Sequence, residues 1–229
     1  MVSEIKELYS NKNVEKSFSQ ENLIKMLIHS PRVKNEYRKI KKKQIIVPIK
    51  NNEIYFLTSG LIVSQYEDQP INLKSANQFI GLDTIILQED QMYNYQALVD
   101  SEVIVFETKE VLMELFSQQE GWLFLTLEMQ KQIKLLTDKY SIMQKNSFAR
   151  LTTTFFELAL RFGVKQKDAY ILPKYFSKKF IADYSGLSPS SVKKIEVLLR
   201  EEGTIKFIDK RYIVYLEKST YYTEILSKY

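Results

Sequence analysis

Cysteine is absent from this 229-residue sequence, and histidine occurs only once, at His29. Without cysteine the chain can form no disulfide, iron–sulfur cluster, thiolate zinc site or cysteine nucleophile. A single histidine excludes a multi-histidine metal site within one chain, and a Ser-His-Asp triad would have to use it. Six glycines and five prolines are few, which argues against glycine-rich loops that cradle phosphate. We therefore expect no catalytic site and no resident metal.

Long apolar runs are also absent. No stretch of about 18 residues is apolar enough for a transmembrane helix, and the polar N-terminal residues contain no apolar signal core. We therefore expect a mature cytoplasmic protein without a membrane partner. Hydrophobic residues make up 45% and charged residues 27% of the chain, which is typical of a globular protein with one large or two modest domains.

Positive charge is concentrated in the C-terminal part. Residues 1–139 carry 17 Lys and Arg against 19 Asp and Glu, whereas residues 140–229 carry 16 against 9. A basic module joined to a near-neutral one favours nucleic acid as a partner, because neutralisation of phosphates supplies most non-specific affinity. A solvated lysine-rich surface is the alternative.

The N-terminal half changes from helix to strand. Residues 3–29 have helical periodicity and end at His29, which we expect at a helix C-terminus rather than in a ligand set. From about 36 to 108, short β-rich segments alternate with turns, and this spacing is typical of a sandwich or barrel. The segments are Gln44–Ile49, Ile54–Leu57, Leu61–Gln65, Ile71–Leu73, Tyr93–Leu98 and Glu102–Glu107. The basic run 38–43 is interpreted as a charged edge strand or loop, with nucleic-acid contact as the alternative.

Helices dominate from residue 109 onward. A short amphipathic helix over 109–116 precedes a long one from about Gln118 to Lys145, and a well-buried helix is predicted over Ser147–Phe162. The long helix has an apolar seam that indicates packing against a partner helix. Its length favours a homodimer, although packing on the same chain is possible. The seam residues are Leu125, Met129, Ile133, Leu136, Tyr140 and Met143.

The most informative segment lies between Phe176 and Tyr215. Ser177 can cap a helix over 178–184, a turn follows at 185–187, and Ser188 can cap a second helix that continues to Glu202. This arrangement predicts a helix-turn-helix. Two alternating strands, 204–208 and 211–215, predict a β-hairpin wing with a basic tip. Such a module favours binding of double-stranded DNA, and use of the winged helix for protein contacts is the alternative.

The predicted DNA contacts follow from the usual docking of a helix-turn-helix, in which the first turns of the second helix enter the major groove. The expected groove residues are Ser188, Pro189, Ser190, Ser191, Lys193 and Lys194. The expected phosphate contacts are Tyr175, Lys178, Lys179, Lys210 and Arg211. Because the first turns hold no Arg, Asn or Gln, discrimination would depend on lysine, methyl contacts and DNA shape.

The chain resembles the Crp/Fnr superfamily of bacterial transcription regulators. Residues 179–194 follow that family's recognition motif, Phe79–Asp83 resembles its F-I-G-E-L element, and Tyr55–Gly60 resembles its Y-x-I-x-x-G strand and turn. The resemblance implies an α+β protein: a double-stranded β-roll, similar to a cyclic-nucleotide-binding jelly roll, over 1–116, a dimerisation helix over 117–145 and a winged helix-turn-helix over 146–229. It also implies palindromic operators, contact with RNA polymerase and an activator.

Departures from the family pattern concern the effector. Cyclic-nucleotide binders of this family place a Glu after the glycine-leucine step and an Arg-Ser pair on the next strand. Here Gly81 is followed by Leu82-Asp83-Thr84, and the strand over 93–97 has no arginine. We therefore expect no cyclic nucleotide, as in the branch that resembles the listerial virulence activator. Because the chain has no cysteine and His29 is a poor axial ligand, we also expect no iron–sulfur cluster and no haem.

An effector pocket without a cyclic nucleotide remains an open alternative. Its lining would be Tyr55, Phe79, Gly81, Tyr93 and Tyr95. Such a pocket would take an unknown small molecule or peptide. These aromatic residues could equally be core, in which case the chain has no ligand. A β-roll that binds ligand or protein, with a vestigial winged helix, is the alternative function.

Overall fold

A computed structural model describes residues 11–85 and 93–218. The chain divides into two compact units, residues 1–136 and 137–229. Helices and antiparallel sheets occur in both units, which confirms the predicted α+β class. The first residues of the helical region predicted over 3–29 lie outside the described part. Among the described helices, none has both the length and the apolarity that crossing a bilayer requires.

Five of the described helices contribute to the first unit. They are α1 (Asn11–Ser17), α2 (Gln20–His29), the short α3 (Pro48–Asn51), α4 (Thr108–Ser117) and the beginning of α5 (Trp122–Met143). Ser19 caps α2, and the last residue of that helix is His29, as predicted. His29 Nδ1 lies 2.7 Å from the carbonyl oxygen of Lys25. The single histidine therefore contacts the backbone of the last turn of α2.

Two antiparallel four-stranded sheets are described in the first unit. The first has the strand order β1-β8-β3-β6 and the second β2-β7-β4-β5. The strands are β1 (Asn35–Ile40), β2 (Ile45–Ile46), β3 (Glu53–Ser59), β4 (Leu61–Tyr66), β5 (Gln69–Ser75), β6 (Gln78–Ile80), β7 (Asn94–Ala97) and β8 (Ser101–Glu107).

The central strand β3 is buried on both faces. Ile54 and Phe56 join a core with α2, α4 and α5, whereas Tyr55 and Leu57 join a second core between the two sheets. Side chains alternate along a strand, so a strand covered on both faces shows a continuous apolar run instead of alternation. The two sheets therefore pack face to face, as the sandwich alternative predicts.

Several predicted strands differ from the observed ones. The segment predicted over Gln44–Ile49 contains only the two-residue β2, because Pro48 begins α3. Strand β1 begins three residues before the basic run and lies at the edge of its sheet, and three of its six residues are charged. Arg38 on β1 pairs with Glu53 at 3.0 Å. The basic run over 38–43 thus supplies an edge strand and the loop after it, which confirms the structural interpretation.

The part of the second unit that the structure describes contains the rest of α5, three further α-helices, one sheet and a short 3-10 helix at Leu216–Lys218. The elements are α6 (Ser147–Phe162), β9 (Val164–Gln166), β10 (Ala169–Ile171), α7 (Lys178–Ser185), α8 (Pro189–Glu201), β11 (Ile205–Ile208) and β12 (Arg211–Val214). The sheet order is β11-β12-β10-β9, all antiparallel. Helix α6 is buried on several faces, as predicted, and packs against α7 and α8.

Candidate nucleic-acid interface

The first helix of the predicted helix-turn-helix, α7, begins at the expected residue. The Ser177 side chain caps it by accepting a hydrogen bond from the amide of Phe180, at 3.2 Å. The rings of Phe180 and Tyr184 stack along one face at 5.6 Å, and Ile181 and Ala182 are buried. The cap and this apolar face place the end of α7 against the core of the second unit.

The turn after α7 depends on Gly186. This residue has φ +62°, in the left-handed region that glycine adopts without strain. Its amide and that of Leu187 bond back to the carbonyls of Asp183 and Ala182, which satisfies the end of α7. A side chain at Gly186 would also approach Met143 Sδ at 3.3 Å. The turn therefore fixes where α8 begins.

Helix α8 starts with the predicted cap. Ser188 accepts a hydrogen bond from the amide of Ser191 at 3.1 Å, and Pro189 occupies the first turn. The hydroxyl of Ser188 also lies 2.9 Å from the hydroxyls of Ser190 and Ser191. The three serines thus form one hydroxyl cluster that can rearrange its donors to suit a base edge or a phosphate.

A buried carboxylate holds α8 in place. Glu196 lies on the buried face of α8 and accepts hydrogen bonds from Lys178 at 3.0 Å, from Arg200 at 3.3 Å and from the hydroxyl of Tyr212. These partners belong to α7, α8 and β12. Burial, followed by the bond to Glu196, raises the pKa of Tyr212 well above its usual value. Glu196 was not among the predicted site residues, although an acidic residue at the helical spacing of Val192, Ile195 and Leu199 indicates a buried partner.

The opposite face of α8 is free of the core. Ser190, Lys193 and Lys194 are exposed on it, and Ser191 is half-buried. Val197 and Leu198 are also exposed, and neither was among the predicted DNA contacts. Because the first two turns present lysine and serine without an intervening apolar cluster, this face suits a polyanion.

The hairpin after α8 has the predicted basic tip. Asp209 and Lys210 both have positive φ, +51° and +61°, as a two-residue hairpin turn requires. Lys210 and Arg211 are exposed. Only β12 alternates between buried and exposed residues, whereas β11 is exposed from Lys206 to Ile208, so the expectation of two alternating strands is wrong for β11.

The other three predicted phosphate contacts, Tyr175, Lys178 and Lys179, differ in exposure and in their intramolecular partners. Lys179 is exposed at the start of α7. Lys178 is paired with Glu196, and its Nζ lies 4.9 Å from the ring centroid of Phe207. Its ammonium group therefore makes intramolecular contacts that a phosphate contact would have to share. Tyr175 is half-buried against Phe176, and burial raises the pKa of its hydroxyl.

Solved structures share this arrangement. The regulator CLP from Xanthomonas campestris, described as responsive to c-di-GMP, aligns with a TM-score of 0.68 at 14% identity over 85% of this chain and 99% of its own. FixK2 from Bradyrhizobium japonicum aligns at 0.66 and 17%, over 85% and 96%. TTHA1359, a CRP/FNR-family transcriptional regulator from Thermus thermophilus, aligns at 0.61 and 16%, over 78% and 93%. The chain has the Crp/Fnr fold.

Protein-family profiles and curated protein sequences give no match. The similarity to Crp/Fnr structures therefore lies in the fold, at sequence identities of 14%, 16% and 17%.

The long helix of this Crp/Fnr fold shows which seam residues are available to a partner. Met129, Ile133, Leu136 and Tyr140 are 48%, 61%, 42% and 67% exposed. Leu125 is only 3% exposed and packs in the core of the first unit. It cannot contact a partner helix, so its place in the predicted seam needs correction. Met143 is half-buried and lies beside Gly186.

Trp122 and Thr126 take the place of the buried Leu125 in the heptad spacing of the seam. With them the spacing runs 122, 126, 129, 133, 136, 140 and 143, which alternates steps of four and three without interruption. Trp122 is 52% exposed. The helix begins at Trp122 rather than near Gln118, so an exposed tryptophan occupies its first position.

Lys139 lies on α5 within the second unit and reaches the end of α7. Its Nζ donates to the carbonyl oxygen of Tyr184 and lies 3.4 Å from the centroid of that ring. The hydroxyl of Tyr184 donates to Glu157 at 2.8 Å, and Arg161 bonds the same carboxylate at 2.7 Å. Burial lowers the pKa of Lys139 to about 8, opposed by the Glu157 charge and reinforced by Arg161.

The predicted effector-pocket residues do not surround one cavity. Tyr55 and Tyr95 are buried between the two sheets, whereas Phe79 is buried in the other core, against Phe56. Tyr93 is only partly buried, beside the sheet core. Gly81 borders a cavity of ≈ 10 Å³, which has room for about one water. For Tyr55, Phe79 and Tyr95 the core alternative therefore describes the structure.

A buried charged cluster lies between the sheets and α5 in the first unit. Lys74 pairs with Glu128 at 3.1 Å, and both side chains are almost fully buried. Gln20 and Gln132 donate to the same carboxylate, at 2.5 and 2.8 Å. Burial raises the pKa of the nearby Asp83, against the attraction of Lys74. In the described residues no group of three or more His, Asp or Glu could hold a metal ion.

Proposed function

We propose that this protein is a homodimeric, sequence-specific DNA-binding regulator of transcription that reads a palindromic operator with α8. The observation that carries the proposal is the exposed face of α8. Lys193 and Lys194 stand on it one turn beyond the serine cluster, and the Glu196 bonds hold the opposite face to α7 and β12. A rigid helix with a basic exposed face meets what major-groove docking requires.

The charge distribution and the fold both support this proposal. Residues 140–229 carry 16 Lys and Arg against 9 Asp and Glu. Lys179 at the start of α7 and Lys210 with Arg211 at the hairpin tip are suited to the phosphates on either side of the groove. The Crp/Fnr fold occurs in transcription regulators, so we propose no enzymatic activity for this chain.

Selection of genomic DNA fragments by the purified protein tests the function. At moderate salt and without added ligand, we expect enrichment of one palindromic motif whose half-sites lie about one helical turn apart. A protein that retains DNA only without sequence preference would favour the alternative, in which the winged helix serves protein contacts. If a motif appears only after addition of cell extract, an effector is required.

We further propose that two copies associate through α5. The exposed seam of Trp122, Met129, Ile133, Leu136 and Tyr140 supports this, since its spacing of four and three is that of a coiled coil. Two-fold symmetry in the dimer would match a palindromic operator, because each protomer then meets an identical half-site.

We propose that the first unit holds no cyclic nucleotide, haem or iron–sulfur cluster. The buried carboxylate of Glu128 would repel a phosphate, and the Lys74 charge is already paired with it. Calorimetric titration with cyclic AMP, cyclic GMP and c-di-GMP should give no binding heat. Saturable binding of any of them would overturn this part of the proposal, while another small molecule or a peptide stays compatible with it.

The resemblance to Crp/Fnr regulators supports an activator that contacts RNA polymerase at the promoter. In transcription with purified components, the protein should increase transcript yield from a promoter that carries the selected motif upstream. A decrease in yield would instead establish a repressor, with the DNA-binding proposal intact.

A further inference from the structure

Val197 extends the DNA-facing stripe of α8 by one turn. It follows Lys193 by four residues and Lys194 by three, so it shares their side of the helix. The buried residues of α8 are Val192, Ile195, Glu196 and Leu199, and at about 100° per residue Val197 points almost directly away from them. Its side chain is 48% exposed.

The length of the stripe fits a half-site. From Ser190 to Val197 the helix advances about 10 Å, at about 1.5 Å per residue. With about 3.4 Å between base pairs along one strand, this distance spans about three base pairs. The serine cluster, the two lysines and Val197 therefore meet successive base edges when α8 lies in the groove.

The chemistry of Val197 selects one base feature. An isopropyl group neither donates nor accepts a hydrogen bond, and a donor or acceptor on a base edge pressed against it would lose its water without replacement. The major groove offers one apolar feature, the C5-methyl group of thymine. The neighbouring Lys193 and Lys194 provide the charge complementarity that brings DNA to this face.

We propose that Val197 determines specificity by packing against the methyl group of a thymine in each operator half-site. This inference rests on the proposed function. The first turns of α8 hold no Arg, Asn or Gln, and their serine hydroxyls and lysine amines can hydrogen-bond to several different bases. The contact between Val197 and a methyl group would then distinguish thymine from the other bases.

Replacement of thymine by uracil tests the contact, because it removes only the methyl group. In the selected operator each thymine is replaced in turn in both half-sites, and affinity is measured by fluorescence anisotropy at fixed salt. We expect one symmetry-related position at which uracil weakens binding about fourfold per half-site, or about 15-fold for the dimer. With Val197→Ala, thymine and uracil probes at that position should bind equally, within about twofold.

Leu198→Ala is the matched control. Leu198 is 49% exposed, about as much as Val197, but it lies about 100° further round the helix, so its variant should keep full sensitivity to uracil. Both substitutions place alanine, a strong helix former, at an exposed site, and circular dichroism checks that α8 persists.

The outcomes separate the inference from the function on which it rests. If no operator is recovered either with or without cell extract, the proposed function fails and this inference with it. An operator whose uracil sensitivity survives in Val197→Ala, or is lost equally in Leu198→Ala, overturns the inference and leaves the function standing.

Discussion

Lys194 is the residue at which the proposed readout is most directly tested, since its amine can reach guanine O6 and N7. We expect Lys194→Ala to lower affinity for the selected operator about tenfold or more and affinity for unrelated DNA much less, so the ratio of the two falls. Gel-shift titrations on both DNAs measure this, with light scattering to confirm that the dimer persists.

Lys165→Ala is the control for that measurement. Lys165 is exposed on β9, at the edge of the sheet opposite to β11, so its loss should leave the ratio unchanged. Equal effects of the two variants would mean that Lys194 acts only through the general charge of the unit.

Glu196 acts on the same helix from its buried side. In Glu196→Ala, Lys178 can return to water, but the buried hydroxyl of Tyr212 loses its acceptor. We expect the free energy of unfolding to fall by about 1–3 kcal/mol. Denaturant unfolding followed by circular dichroism measures it. Glu201→Ala, at an exposed position on α8, should change stability by less than about 0.5 kcal/mol, and equal losses would contradict the role of Glu196.

Among the helices, α5 carries the proposed dimer contact. Ile133→Asp places a charge in the seam, where burial against a partner would leave it unpaired, so we expect the dimer to dissociate. Light scattering across a concentration series measures the mass. Leu135→Asp makes the same change in charge at a residue 37% exposed on the other side of α5, and it should stay dimeric. A persistent dimer in Ile133→Asp would remove the seam from the interface.

The contact between α5 and α7 at Lys139 predicts a pH dependence. Its pKa is about 8 in the folded protein and about 10.4 in an unfolded chain. Between these values the unfolded state binds the extra proton, so stability rises as the pH increases from about 8 to about 10. Below pH 8 both states are protonated, and this contribution is constant.

Urea unfolding at pH 7, 8, 9 and 9.5 measures that rise, and Lys139→Met removes the titrating group. The charged groups that face Lys139 are Glu157 and Arg161. Five tyrosines have pKa values raised above their usual value, mainly through burial: Tyr55, Tyr93, Tyr95, Tyr175 and Tyr212. Parallel pH profiles for the two proteins would assign the rise to another group.

At the scale of the whole molecule, the concentration of basic residues in 140–229 predicts steep dependence on salt. Lys179, Lys193, Lys194, Lys210 and Arg211 give ten candidate phosphate or base contacts per dimer. We expect log affinity to fall with log salt at a slope of about −5 to −9. Anisotropy titrations between about 50 and 300 mM salt measure it.

Lys210→Ala sharpens this prediction. It removes one hairpin-tip contact per protomer, so the slope should become shallower by about two per dimer. An unchanged slope would place the hairpin away from the phosphate backbone.

Much of the helix-turn-helix could be predicted from local chemistry. Ser177, Gly186 and Ser188 determine helix ends and a turn through bonds between residues at most five apart, so a short stretch of sequence contains the whole interaction. The same is true of the positive-φ turn at Asp209 and Lys210. The exposure of Lys193 and Lys194 on α8 could also be predicted, because residues outside the apolar stripe of an amphipathic helix face solvent.

What the sequence alone determined, then, is the set of elements governed by short-range contacts, together with the chemical classes excluded by absent cysteine and scarce histidine. The tertiary structure decided which apolar residues were already covered. Leu125 is buried in the core of its own unit and Trp122 is exposed, although both fit a helical period. It also decided that Glu196 is bonded across three elements and that Tyr55 and Phe79 belong to different cores. These outcomes depend on distant segments meeting in space, which periodicity along one segment does not encode.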